Sequence, residues 1–214
     1  MSSATPSLAA SGDSPTPSSA EPASSVNSPT KTAGTYREAD GSRVPFDDAR
    51  AAWAETARDV LISVAGQYHS VITYTQLAEA IQTASGIRTR MLVTHWVGGV
   101  LGRVSHQSAL RNEPLISALC VHRDGTVGDG YAVAVQAAQG VLPSDPDGHA
   151  AQERLECYRT FGAELPPGGG EAALTPQVAA RRRRQAMPAT ATPPAVCPIH
   201  RAVLPATGRC DDCA

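Results

Sequence analysis

Apolar residues recur at helical spacing from about residue 44 onward, after a start of the chain that shows no such pattern. The first amphipathic run carries Trp53, Ala57, Val60, Leu61 and Val64. Residues three and four positions apart share one face of a helix, so this run predicts a helix with one buried side. Asp47 and Asp48 precede the run and Gly66 follows it, and these are the usual start and stop signals of a helix.

The next two apolar runs predict a second and a third helix that are separated by a short turn. Thr73 with Gln76 three residues later is a capping-box signature, and Gly86 ends the helix that it opens. The apolar residues of the two helices are Leu77, Ala78 and Ile81, and then Trp96, Val97, Val100, Leu101 and Val104. This order is typical of a helix-turn-helix.

After Pro114 the pattern becomes strand-like. The apolar positions of the predicted strand are Leu115, Ile116, Leu119 and Val121. Asp124-Gly125 is a hairpin-turn signal, and residues 127–135 are interpreted as the returning strand, with Gly128 and Gly130 indicating a bulge or an irregular second arm. One more helix, over residues 147–161, completes the domain. We therefore predict an α+β fold over residues 44–165, a winged helix-turn-helix with a β-hairpin wing.

Two flanking segments have compositions that disfavour a packed core. Residues 1–30 contain ten serines and five prolines, so residues 1–43 are predicted to be a disordered tail. Residues 166–196, with three consecutive glycines and repeated Pro, Ala and Thr, are predicted to be a disordered linker. The linker carries Arg181 to Arg184, which are interpreted as a solvated tether that attracts phosphate.

Whole-chain composition and charge limit the classes of function. The net charge is −2, so nucleic-acid contact requires a local basic patch. No run approaches eighteen consecutive apolar residues, and the first ten residues lack the basic and apolar regions of a secretory signal. We therefore expect a cytoplasmic protein with no membrane partner. The sequence leaves the oligomeric state open.

The last eighteen residues, predicted to be a zinc-binding tail over 197–214, hold the strongest chemical signal. Cys197 and His200 form one pair of ligands three positions apart, and Cys210 and Cys213 form another. A tight turn can direct such a pair at one ion, and two pairs complete a tetrahedron that suits Zn²⁺. Four protein ligands leave no position for a catalytic water, so the zinc is expected to be structural. The alternative is a redox pair of Cys210 and Cys213.

Cys120 and Cys157 lie outside the tail. Both occur in apolar periodic segments, where a free cysteine behaves as a small buried hydrophobe.

A basic stretch coincides with the predicted helix-turn-helix. Between Gly86 and Arg123 the only acid is Glu113, which gives the stretch a local charge of about +4. Its arginines are Arg88, Arg90, Arg103, Arg111 and Arg123. His95, Arg103 and His106 fall away from the apolar side of the third helix, whereas Gly98, Gly99 and Gly102 permit close approach of another element or a ligand backbone. We therefore predict duplex DNA as the partner.

The stretch Ile72-Thr-Tyr-Thr-Gln-Leu-Ala-Glu-Ala-Ile81, followed by Val97-Gly98-x-x-Leu101-Gly102, resembles the DNA-binding domain of the alkylguanine-DNA alkyltransferases and alkyltransferase-like proteins. That family shows a Thr-x-Tyr-Gly-x-x-Ala helix start and a Val-Gly-x-x-Leu recognition helix. The resemblance covers residues 68–131. It implies a winged-helix DNA-binding fold in which Tyr74 touches a phosphate beside an extruded nucleotide.

The sequence departs from that family at two positions. His95 stands where the family has its nucleotide-displacing arginine, and the reactive Pro-Cys-His-Arg motif is missing. If His122-Arg123 is aligned with the motif, Val121 takes the cysteine position. Shifting by one residue restores Cys120 but puts Val121 in place of the histidine. In both alignments the thiol lacks an activating neighbour, so the sequence predicts no alkyl transfer.

A second resemblance concerns the segment from Pro114 to Val121 and the Gly128-Asp-Gly-Tyr131 turn. Both are similar to features of a loosely defined set of uncharacterised bacterial and phage proteins. This resemblance supports the boundaries of the domain and implies no activity.

Three functions follow from these patterns. The first is a non-enzymatic DNA-binding protein, of a regulatory or a DNA-alkylation-recognition type, that uses Tyr74, Arg88, Arg90, His95, Arg103 and Arg123. The second is an interaction adaptor that contacts other proteins through its zinc tail and wing. The third is a nucleic-acid-processing enzyme with Ser117 or Cys120 as nucleophile and His122 as base, where strand alternation would put Cys120 and His122 on one face.

Overall fold

The computed structural model describes residues 34–186, 196–205 and 208–213. Within these ranges the helices are α1 (Phe46–Ala65), α2 (Tyr74–Ser85), α3 (Val97–Leu110), α4 (Asp129–Gln139), α5 (Pro146–Thr160) and α6 (Pro176–Ala186). The strands are β1 (Thr35–Arg37), β2 (Ile72–Thr73), β3 (Ile87–Thr89) and β4 (Cys120–Val121). The fold is α+β, as predicted. Of the tail predicted to be disordered over residues 1–43, residues 1–33 lie outside the described residues. The prediction is wrong for the rest, because β1 pairs with β3.

The core lies where α1, α2 and α3 meet, and it uses the apolar residues that periodicity singled out. Trp53 of α1 and Trp96 at the start of α3 are buried with ring centroids 4.3 Å apart. The indole N–H of Trp53 donates to the carbonyl oxygen of Ile87 at 3.0 Å, so its one polar atom is satisfied inside the core. The three predicted helices are confirmed.

The predicted capping box opens α2. The Thr73 hydroxyl accepts from the Gln76 backbone N–H at 3.3 Å, and the Thr73 N–H donates to the Gln76 side chain at 2.9 Å. Gly86 ends the helix at φ 65°, a left-handed conformation in which glycine has no Cβ penalty.

Two short sheets bring distant parts of the domain together. β1 pairs with β3 in antiparallel register, Thr35 opposite Thr89 and Arg37 opposite Ile87. β2 pairs with β4 in parallel register, Ile72 opposite Cys120. The second pairing places the residues that follow β4 beside the start of α2, where the candidate site lies.

The predicted hairpin wing is wrong. Asp124-Gly125 does form a tight turn, with the Gly125 N–H donating to the His122 carbonyl at 2.9 Å, but residues 129–139 form helix α4 rather than a returning strand. Tyr131 and Val135 are the buried residues of α4. They lie four positions apart, so a helix buries both on one face. The preceding apolar segment is also mostly a 3₁₀ turn over Ile116–Leu119, and only Cys120–Val121 is strand.

The predicted linker over 166–196 contains an ordered helix. α6 begins at Pro176, buries Val178, and carries the four arginines on the domain. The Thr175 hydroxyl just before it donates to the Gly125 carbonyl at 2.9 Å. The part of the linker over 187–195 lies outside the described residues.

Among the described residues, none of the helices is both long enough and apolar enough to cross a membrane.

Candidate nucleic-acid interface and metal centre

A cleft of about 750 Å³ opens where the N-terminal ends of α2, α3 and α4 meet. α2 contributes Tyr74, α3 contributes Gly98, and the segment between β4 and α4 contributes His122, Arg123 and Gly128. Neither α3 nor α4 has a side-chain cap on its first N–H groups. Free N–H groups and the positive ends of helix dipoles favour an anion such as a phosphate. Asp129 also lines the cleft and opposes this preference.

One wall of the cleft is a stacked pair of rings. Tyr74 and His122 lie 4.5 Å apart between centroids with an angle of 8° between their planes. The Tyr74 hydroxyl lies so close to Gly128 that a Cβ there would overlap it, which explains why glycine occupies this position. Burial raises the pKa of Tyr74 to about 12, so the hydroxyl remains a hydrogen-bond donor at neutral pH.

The predicted DNA contacts fall into two groups. Tyr74 and Arg123 line the cleft, and His95 is exposed in the 3₁₀ turn that leads into α3. Arg103 is exposed on α3 and lines an open groove of about 610 Å³ between α1 and α3, together with His106.

The second group, Arg88 and Arg90, is held within the domain. The Arg88 guanidinium donates to the Glu38 carboxylate at 3.0 Å, so most of its charge is balanced. Arg90 lies over the Tyr36 ring at 5.9 Å from the centroid, a cation–π contact.

The nucleophile-base arrangement considered for an enzyme is not assembled within residues 34–186. Ser117 lies in the 3₁₀ turn, not in a strand, and its hydroxyl is hydrogen-bonded to that of Ser105 at 2.7 Å. Cys120 is buried, whereas His122 is exposed. No hydrogen bond joins His122 to either candidate nucleophile among these residues.

The core cysteines are buried, as predicted. Cys120 is 1% exposed and Cys157 is fully buried. Burial raises the pKa of both thiols, so they stay protonated and unreactive at neutral pH.

The four tail ligands converge on one point. The ligand atoms of Cys197, His200, Cys210 and Cys213 all lie within 4.8 Å of one another. The Cys197 and Cys213 sulfurs are 3.6 Å apart, and the Cys210 sulfur lies 3.5 Å from the His200 Nδ1 atom. A tetrahedral zinc with ordinary bond lengths requires about 3.8 Å between two sulfurs and about 3.6 Å between sulfur and nitrogen. The donor set and its spacing therefore fit Zn²⁺.

Two local turns produce this convergence. The Arg201 N–H donates to the Cys197 carbonyl at 2.8 Å, and the Cys213 N–H donates to the Cys210 carbonyl at 3.1 Å. The His200 N–H lies 3.4 Å from the Cys197 sulfur, and this hydrogen bond lowers the pKa of that thiol to about 6. A thiolate is the form that binds metal.

Comparison with protein-family models, with curated protein sequences and with solved structures finds no match to this chain.

Two helices were not predicted from the sequence: α4, which contributes Asp129 and Gly130 to the cleft, and α6. The signals for α4 were the spacing of Tyr131 and Val135 and the alanines between and after them. For α6 they were Pro176, a residue favoured in the first helical turn, and Val178 followed by two alanines.

Proposed function

We propose that residues 34–186 bind duplex DNA without catalysing a reaction, as a helix-turn-helix of the winged-helix type with α3 facing the DNA. In this proposal the segment 122–130 and the start of α4 take the place of a hairpin wing. The observation that carries the proposal is the cleft at the N-terminal ends of α2, α3 and α4, beside Arg123. Within this proposal, a DNA-alkylation-recognition role rests on the family resemblance alone, and a regulatory role is the alternative.

The exposed glycines of α3 support the same proposal. Gly98 and Gly102 are exposed, and a Cβ added at either position would meet nothing within 4 Å in the free protein. Glycine weakens a helix relative to alanine by about 1 kcal/mol. Small residues on an exposed helix face let a ligand backbone approach closely, so a bound DNA strand would account for them.

Two predicted DNA contacts, one on α3 and one in the cleft, carry positive charge that no carboxylate of the described residues balances. Among the described residues Arg103 and Arg123 have no carboxylate within 4.0 Å, unlike Arg88. Each phosphate neutralised by such a side chain releases a condensed counterion, so affinity should fall steeply with salt.

The test is fluorescence polarisation of the full chain with duplex, single-stranded and alkylated duplex DNA at several salt concentrations. The slope of log affinity against log salt is negative, and in the double variant Arg103→Ala/Arg123→Ala it should become less steep by about two. The matched control, Glu38→Gln/Arg88→Gln, removes an ion pair without a change in net charge and should leave the slope unchanged. Equal binding by wild type and the arginine double variant at low salt contradicts the proposal.

We further propose that the tail binds one structural zinc ion through Cys197, His200, Cys210 and Cys213. The zinc stabilises a segment too short to form a core, since the metal supplies the folding energy. Purified chain should carry about one zinc, and Cys210→Ser should remove most of it. Cys157→Ser, which replaces a buried core thiol, is the control that should keep the metal. If chain prepared without chelator contains no zinc, the proposed zinc site is wrong.

A second function, as a protein adaptor, is favoured by one observation in the tail and at the residue just before it. Val196, Ile199 and Val203 are exposed by 50%, 75% and 62%. Three exposed apolar side chains on so short a segment are typical of a surface that contacts another protein. Binding that resists salt, together with no binding of DNA, would favour the adaptor.

A further inference from the structure

The four consecutive arginines belong to a helix that is fixed to the domain. α6 carries them, and it is anchored by the buried Val178 and by the Thr175 hydroxyl, which donates to the Gly125 carbonyl at 2.9 Å. A Cβ at Gly125 would overlap the Thr175 side chain, so the approach of the two segments depends on a glycine in the turn. The arginines therefore have a defined place on the surface.

The first two arginines are used to hold α6 in that place. Arg181 lies 3.4 Å from an oxygen of Asp124 and 3.6 Å from an oxygen of Asp147. Arg182 donates to both oxygens of Asp145, at 2.5 and 2.8 Å, and this contact lowers the pKa of the Asp145 carboxyl. The paired geometry is the one in which arginine recognises a carboxylate best.

The last two arginines form no ion pair within the part of the chain that the structure describes. Arg183 and Arg184 are exposed, and in the part of the chain that the structure describes neither has a carboxylate within 4.0 Å. α6 contains no acidic residue of its own. Its surplus positive charge therefore faces solvent.

The contact of Arg181 with Asp124 places α6 next to a residue that adjoins the cleft. Asp124, the partner of Arg181, directly follows Arg123, which lines the cleft. Arg184 lies three residues beyond Arg181 along α6, a rise of about 4.5 Å. α6 therefore lies beside the turn that follows Arg123, and it carries the exposed Arg183 and Arg184 there.

We propose that α6 is a second phosphate-binding element, in which Arg183 and Arg184 contact the DNA backbone while Arg181 and Arg182 hold the helix on the domain. The inference rests on the proposed DNA binding. Contacts of this kind add affinity and position the protein but read no sequence. An acidic protein segment is the competing partner for the same charge.

The experiment compares the full chain with Arg183→Ala/Arg184→Ala on a labelled duplex between 50 and 200 mM salt, roughly the range over which counterion release is measured. The negative slope of log affinity against log salt should become less steep by about two in the variant, one for each lost contact. Arg183→Lys/Arg184→Lys is the matched control and should restore the slope, because lysine binds phosphate as a point charge. Circular dichroism of each variant checks that α6 is retained.

The outcomes separate this inference from the proposed function. If wild type binds the duplex and the alanine variant keeps the wild-type slope, the inference about α6 is wrong and the DNA-binding proposal stands. If wild type does not bind the duplex, both are wrong. If the alanine variant keeps its DNA slope but loses binding to polyglutamate, α6 binds acidic protein segments and the inference is overturned.

Discussion

Replacing the exposed glycines of α3 should make the protein more stable and at the same time poorer at binding DNA. Gly98→Ala and Gly102→Ala each add a methyl group to a helix that the glycines weaken. Neither added Cβ meets an atom within 4 Å in the free protein, and neither glycine has a positive φ. The folded state therefore accepts both changes without strain.

The expected gain in stability follows from helix propensity. Each change should raise the free energy of unfolding by about 1 kcal/mol. For a domain of this size that corresponds to a rise in Tm of about 2–4 °C for each substitution. When DNA is bound, each added methyl group would be forced into a close-packed contact, which costs about 1–3 kcal/mol. Affinity should therefore fall by about tenfold or more for the double variant.

Thermal unfolding and fluorescence polarisation measure the two effects on the same samples. Ser63→Ala is the control, because Ser63 is exposed on α1 and does not line the cleft. It should raise Tm slightly and leave DNA affinity unchanged. A double glycine variant that gains stability and keeps wild-type affinity would show that the α3 face does not approach DNA. A loss of stability would refute the packing argument itself.

Three further outcomes are expected. Thr73→Ala removes the capping box of α2 and should lower the free energy of unfolding by about 1 kcal/mol in chemical denaturation. The thiols of Cys120 and Cys157 should resist iodoacetamide in the native chain and react once it is unfolded; rapid labelling of native protein would contradict their burial. Burial raises the pKa of Tyr74 and Tyr158 to about 12, so the folded state holds protons that the unfolded state has released above pH 10. Stability should therefore fall as pH rises from 10 through 12, and Tyr74→Phe should weaken that dependence.

Sequence patterns predicted the structure correctly where residues close together in the chain decide the local conformation. The capping residues Thr73 and Gln76 set the start of α2, and the apolar spacing of α1 and α3 set their buried faces. The ligand spacing of the tail was also readable, because each pair is brought together by a turn of three or four residues.

The cleft could not be derived in this way. Residues 127–135 alternate well enough to suggest a strand, but residues 129–139 form α4, and the strand that pairs with β4 is the distant β2. Arg88 has the charge of a DNA contact, and Glu38, fifty positions away, balances it. Sequence periodicity carries no information about such distant partners.

The sequence by itself determined the helices of the core, the buried cysteines and the identity of the four tail ligands, because these depend on spacing within a few residues. Tertiary structure decided which arginines remain available. Arg181 and Arg182 pair with carboxylates more than thirty residues away, whereas Arg183 and Arg184, with the same chemistry and adjacent in the chain, remain exposed. The difference arises because a helix turns successive side chains by about 100°, so only the packing of α6 against the turn at Gly125 selects which of them face the domain.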